Sequence, residues 1–255
     1  MLRFINIGEN TFIPSYNLFV GIGIAIAMLY LQYQKLFKEK RENEKFKIHL
    51  SLIISIIFGF IGSFILDAFT QKIPITFDNL NKIGLTFFGG LISGSLILFL
   101  SLKFFSLPVI TNLNILTIPF CIAHFFGRIG CFMTGCCFGS PTNSIFGVVF
   151  PKDSLPYNHY HEFIKIHPTQ LYESAFVLLL LFFLTKFKIK NQFFIYVISY
   201  SIFRFFIEFI RADNRGIVLH QNLFSPSQII SILTVIFFTS LIFINKNLHT
   251  QTIKL

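Results

Sequence analysis

Four glycines, three cysteines, a histidine and an arginine crowd into His124–Gly139 (HFFGRIGCFMTGCCFG), directly after an apolar run. A guanidinium at membrane depth costs at least ~3 kcal/mol and is kept where it meets an ion, a substrate or a partner charge, or where it snorkels at a span end. Arg128 is that guanidinium. A second set, Tyr200, Arg204, Glu208 and Arg211, is spaced 4, 4 and 3 residues apart, which puts all four on one helical face inside an otherwise apolar stretch. Charges there either pair to hold helices together or mark function. The third set is His167-Pro-Thr-Gln-Leu-Tyr-Glu173, where Pro168 suits the first turn of a helix. Glycine allows close backbone approach and positive φ, so Gly127, Gly130, Gly135 and Gly139 predict a tight, irregular segment packed around Arg128.

Cys131, Cys136 and Cys137 follow a C-x4-C-C spacing rather than the paired C-x2-C of a structural zinc site, and only His124 offers a nearby fourth ligand. The spacing therefore predicts no metal, and the thiols are read as packing around the arginine. A disulfide from Cys131 to Cys136 or Cys137 is permitted if the segment faces an oxidising compartment.

The elements that must position these groups are apolar spans. With 54% hydrophobic and 13% charged residues and a mean hydropathy of +0.70, the 255-residue chain is too apolar for a soluble domain of this size. The net charge of +10 sits in short loops, as the positive-inside rule requires, and not on a continuous basic face, so nucleic-acid binding is not expected. Residues 16–34 are uncharged and, at about 1.5 Å per residue, cross a ~30 Å hydrocarbon core. No cleavable signal peptide precedes them, so the first span is expected to stay as an anchor. Further spans are read over 48–66, 83–102, 112–126, 167–185, 192–210 and 225–244. Basic residues in 35–47, at 186–190 and in the tail place those segments inside. The predicted fold is all-α with seven transmembrane helices, amino terminus outside and carboxyl terminus cytoplasmic. It is read as a single domain, 1–255, with a polar external loop or small head at 140–167.

Gly127-Arg128-Ile-Gly130-Cys-Phe132 with Gly139, His167–Glu173, and Tyr200-x3-Arg204-x3-Glu208-x2-Arg211 together resemble the prolipoprotein diacylglyceryl transferase family. The match runs from Tyr16 in the first span to the seventh. The resemblance implies transfer of the diacylglyceryl group from phosphatidylglycerol to the lipobox cysteine thiol of a prolipoprotein signal peptide, with glycerol phosphate leaving. It implies no cofactor and no metal, and a multi-pass enzyme of the bacterial inner membrane with a cavity open to membrane lipid. Arg128 and Arg204 fall on the family's essential arginines, Glu173 and Glu208 on its acids, and Tyr16 and Tyr200 on its cavity tyrosines. Gly89, Gly90, Gly139 and His167 join them as substrate-binding positions.

The chain departs from the family pattern at four polar positions. Phe88-Gly89-Gly90 stands where the family usually reads His-Gly-Gly, Cys131 replaces an asparagine, Cys136 a glutamate, and Phe60 lies near a common arginine. In the implied displacement, Arg128 and Arg204 would stabilise charge on the leaving phosphate ester, and Glu208 would orient Arg204. With the histidine missing, the two arginines would favour the thiolate and Glu173 would act as an auxiliary proton acceptor.

Overall fold

The computed structural model describes residues 4–8, 11–84, 86–152, 154–187, 189, 191–213 and 224–252. The side chain of Phe88, Lys188 and Lys190, and the loop expected over 214–223 lie outside the described residues. A short hairpin, β1 (Phe4–Gly8) and β2 (Thr11–Pro14), precedes α1 (Ser15–Tyr33). Then come α2 (Lys35–Lys38), α3 (Glu42–Gln71), α4 (Phe87–Phe104) and α5 (Val109–Thr134). A small head carries β3 (Val148–Val149), α6 (Leu155–Tyr160) and β4 (Lys165–Ile166), with β3 antiparallel to β4. The chain ends in α7 (Thr169–Lys186), α8 (Gln192–Ile207), a 3-10 turn (Glu208–Ile210) and α9 (Pro226–Thr252).

Among the described residues, six helices are long and apolar enough to cross a membrane: Ser15–Tyr33, Glu42–Gln71, Val109–Thr134, Thr169–Lys186, Gln192–Ile210 and Pro226–Phe243. The stretch read as the third span forms a shorter apolar helix, Gly89–Phe104 within α4. Large side chains such as Ile53, Ile57, Phe60 and Ile61 of α3 and Leu233, Ile236 and Phe237 of α9 are exposed. Only lipid tolerates such a surface over whole helices. The chain is a multi-pass membrane protein.

Several boundaries differ from the sequence reading. The charged stretch 35–47 is expected as a loop, yet α3 begins at Glu42, supported by ion pairs of Lys45 with Glu42 (2.8 Å) and Arg41 with Glu44 (2.9 Å). The same helix runs on past residue 66, because Asp67 is buried and its Oδ2 accepts from Gly84 N and Gln71 Nε2, both at 2.6 Å. The segment around Arg128 is not irregular either. Helix α5 continues through Gly127, Gly130 and Cys131 to Thr134, with Pro119 inside it. Its glycine serves close packing: a Cβ on Gly130 would lie 3.3 Å from Tyr16 Cα and Phe19 Cβ. Within 124–139, positive φ is confined to Gly135 (75°) and Cys137 (63°), just after the helix.

The described chain forms two compact units, Met1–Leu31 with Leu116–Leu255, and Gln32–Ile115. In the second unit, α3 and α4 pack through small residues. Ser55 Oγ donates to Gly94 O (2.7 Å) and Ser63 Oγ to Thr86 O (2.6 Å). The face of Gly89 and Gly90, expected to leave room for a ligand, is taken up by α3: a Cβ on Gly89 would collide with Gly62 O and lie 2.8 Å from Ser63 Cα. Gly89→Ala must push two backbones apart. It is expected to cost about 1–3 kcal/mol, read as a lower unfolding midpoint in detergent; an unchanged midpoint would show that the hairpin gives way freely.

In the first unit, Ala27, Ile118, Cys121, Ile122, Val177, Leu180, Leu184 and Tyr196 form the buried core that joins α1, α5, α7 and α8. The groups of interest sit at helix ends. Tyr16 begins α1, Arg128 is near the end of α5, Glu173 is just inside α7, Arg204 is near the end of α8 and Ser227 begins α9. Contacts between these ends gather them at one end of the unit.

Candidate active site

Glu173 is the hub. It is fully buried, and its Oε2 lies 2.9 Å from Arg128 Nη2 and accepts from Tyr200 OH at 2.9 Å. Its Oε1 lies 3.2 Å from Arg211 Nη1. Arg128 Nη2 also donates to Tyr200 OH at 3.0 Å, so arginine, tyrosine and carboxylate close a triangle. His124 lies one turn before Arg128. Its Nδ1 is 2.7 Å from Tyr196 OH and its Nε2 accepts from Arg128 Nε at 3.4 Å. The histidine therefore belongs to the network instead of merely filling space.

A second pair lies on the same stretch of α8. Arg204 Nη1 is 2.7 Å from Glu208 Oε2, and Arg204 Nη2 donates to Ser227 Oγ at 3.1 Å. Arg204 and Glu208 thus pair one turn apart, as the spacing predicts. Helix α9 starts with a capping box, Ser225-Pro-Ser-Gln228. Ser225 Oγ accepts from Gln228 N (3.2 Å) while Gln228 Oε1 accepts from Ser225 N (2.9 Å), and Pro226 occupies the first turn. The Ser225 hydroxyl also donates to Glu208 Oε1 at 2.8 Å. The span read over 225–244 thus starts at its cap, and the S-x-x-Q pattern adds the physical reason.

Arg211 links the two pairs. Beyond Glu173 it forks onto Asp213, with Nε to Oδ1 at 3.0 Å and Nη2 to Oδ2 at 2.9 Å, and its Nε lies 3.9 Å from Glu208. The helix has tightened to a 3-10 turn before it, so Arg211 meets Glu173 of α7 through a change of helix type that even spacing does not show. Burial pushes the Asp213 carboxyl up to about 6 against the pull of Arg211, so the full ionic fork forms only above about pH 6.

The HPTQLYE motif acts largely on the cysteine turn. Thr169 Oγ1 donates to Cys137 O and Gln170 Nε2 to Cys136 O, each at 2.5 Å and each from a fully buried residue. His167 Nδ1 lies 3.2 Å from Tyr172 OH, and its backbone brackets Ser140 through paired hydrogen bonds with Gly139 and Ser140. Gly139 is a close-approach glycine: a Cβ would meet His167 Cβ at 2.6 Å and Ile210 O at 2.9 Å. Beside this turn, a cavity of about 420 Å³ is lined by Cys136, Cys137, Phe138, Leu155, Asn158, His159 and Asp213.

Of the predicted residues, Arg128, Glu173, Tyr200, Arg204 and Glu208 enter the network, Tyr16 packs against Gly130, and Gly139 and His167 frame the turn. Gly89 and Gly90 belong to the α3–α4 hairpin of the other unit. Arg211, Asp213, Ser225, Ser227, Thr169 and Gln170 add to the predicted set.

At one end of the helices of this polytopic membrane protein, three buried arginine side chains are held on Glu173, Glu208 and Asp213. The profile of the prolipoprotein diacylglyceryl transferase family matches residues 3–244, and the chain belongs to that family. It is 36% identical to the phosphatidylglycerol–prolipoprotein diacylglyceryl transferase 2 of Clostridium perfringens over 247 residues, covering 92% of this chain and 91% of the relative. It is 33% identical to the enzyme of Clostridium tetani over 234 residues (88% and 90%), and 31% identical to that of Ehrlichia ruminantium over 238 residues (87% and 88%).

Proposed function

We propose that this chain transfers the diacylglyceryl group of phosphatidylglycerol to the lipobox cysteine of a prolipoprotein signal peptide. The supporting observation is the buried Arg128–Glu173–Arg211 arrangement beside Arg204–Glu208. It concentrates permanently charged guanidinium groups where a phosphate ester must be held and its charge stabilised on leaving. The thiolate sulfur attacks the glycerol C3 carbon, the C3–O bond breaks, and the electron pair departs on glycerol phosphate. Arg128 and Arg204 bind the phosphate, Glu208 positions Arg204, and Tyr200 and Tyr16 line the site with His167 and Gly139 behind it.

In this reading the chain is one transferase domain of the bacterial inner membrane. It has seven spans, with Phe87–Phe104 as the third, the amino terminus and the small head outside, and the carboxyl terminus cytoplasmic. No nucleic acid takes part. The test is complementation of a transferase-depleted bacterium, with mass spectrometry of a reporter lipoprotein. The expected result is a diacylglyceryl adduct on the lipobox cysteine and release of glycerol phosphate from phosphatidylglycerol; an unmodified reporter alongside well-inserted protein would overturn the reading.

A further inference from the structure

The fold supplies what the C-x4-C-C spacing conceals. The Sγ atoms of Cys131, Cys136 and Cys137 all lie within 4.8 Å of one another. Three thiolates around one zinc-class ion, at about 2.3 Å each, stand about 3.8 Å apart, so the cluster closes on an ion with shifts of about half an ångström per sulfur.

The turn that brings them together is held from outside. Cys137 sits at φ 63°, a conformation that side chains other than glycine rarely adopt, and follows Gly135 at φ 75°. The buried Thr169 and Gln170 grip the carbonyls of Cys137 and Cys136. Thr134 Oγ1, which donates to the backbone at Gly130 O and Cys131 O (each 3.1 Å), lies 3.5 Å from Cys136 Sγ, and the Cys136 thiol donates to Cys131 O at 3.6 Å. Packing requires none of this convergence, and a disulfide would use only two of the three sulfurs.

We propose that Cys131, Cys136 and Cys137 bind one thiophilic divalent cation of the zinc class, whose fourth position receives the acceptor thiol as a thiolate. The use assigned to the ion rests on the transferase reading. The cavity borders Cys136 and Cys137 and gives the fourth position an approach. Cys131 lies three residues after Arg128 on the same helix, so a metal-held thiolate stands one turn from the phosphate-binding guanidinium.

The acceptor R–SH gives its proton to water in the cavity on coordination, since a coordinated thiol is deprotonated outright. The thiolate then forms the S–C3 bond as the C3–O bond breaks. The electron pair leaves with glycerol phosphate, and the neutral thioether, a weak ligand, departs from the ion. This supplies the thiolate in a chain with phenylalanine at the position of the usual His-Gly-Gly histidine.

The test uses full-length protein purified in lipid nanodiscs. Elemental mass spectrometry should find one zinc-class ion per chain, reduced at least tenfold in Cys136→Ser and in the triple serine variant. After cobalt exchange, a lipobox peptide should add thiolate-to-cobalt charge-transfer absorption, and its Cys→Ser counterpart should add none. Metal-free parent protein with three alkylatable thiols, or with a disulfide, would overturn the proposal without recourse to any variant. Full-rate transfer after chelation would overturn the role of the ion and leave the transferase reading intact. Metal and peptide binding with no transfer from phosphatidylglycerol would sustain the site and overturn that reading.

Discussion

Arg128→Lys is expected to lower diacylglyceryl transfer about 10²–10³-fold while the protein still inserts and folds, the loss typical of removing one well-placed electrostatic donor. Arg128 Nη2 alone reaches both Glu173 Oε2 and Tyr200 OH, and Nε reaches His124 Nε2. These contacts fix the plane of the guanidinium from two sides. Lysine keeps the charge on a single nitrogen, which cannot reach Glu173, Tyr200 and His124 together as the planar guanidinium does. The defect should fall mainly on kcat, because charge on the phosphate oxygen grows as the C3–O bond breaks. Steady-state transfer to one prolipoprotein peptide at graded phosphatidylglycerol measures this. A variant within threefold of the parent would show that a point charge suffices.

Why the sequence exposes Arg128 but hides part of its setting is a matter of which forces are local. A charge in an apolar run stands out because lipid tolerates it only at a cost, so Arg128, Arg204 and Glu208 are visible as residues, and the last two also as a pair one turn apart. Apolar runs mark the spans for the same reason. The ends of those spans are harder to read, since charged residues extend α3 through i,i+3 ion pairs at its start and Asp67 continues it by receiving Gly84 N. Helix α5 likewise runs through glycines that suggest a break, because Gly130 is there to admit Tyr16 and Phe19.

The hub itself is non-local. Glu173 meets Arg128 45 positions earlier in the chain and Arg211 38 positions later, and the second contact depends on the 3-10 turn at Glu208–Ile210. The cysteine cluster depends on two left-handed residues and on hydrogen bonds from α7, neither of which is encoded in cysteine spacing. Nor does the hairpin of β1 and β2 announce itself, since its strands are only 5 and 4 residues long.

Glu173→Gln separates two roles for the hub. The sequence reading makes this residue an auxiliary proton acceptor, with a loss of about 10²-fold or less. The geometry favours a positioning role, since both carboxylate oxygens are occupied, Oε2 by Arg128 and Tyr200 and Oε1 by Arg211. The amide preserves shape but leaves two buried guanidinium groups without their shared counter-charge. Breaking a buried pair from one side costs about 3–5 kcal/mol, which at about 2–4 °C per kcal/mol lowers the unfolding midpoint by roughly 6–20 °C. Transfer should fall by more than about 10²-fold, because Arg128 and Arg211 repel each other out of place. A base would lose its limb of the pH–rate profile on mutation, whereas a positioning residue leaves the shape of the profile unchanged at lower amplitude. Arg211 keeps Asp213 when Glu173 is neutralised, so the double variant Glu173→Gln/Arg128→Gln, which removes a charge together with its counter-charge, should regain much of the stability and little of the activity. Retained stability in the single variant, together with a flattened pH profile, would return Glu173 to the role of base.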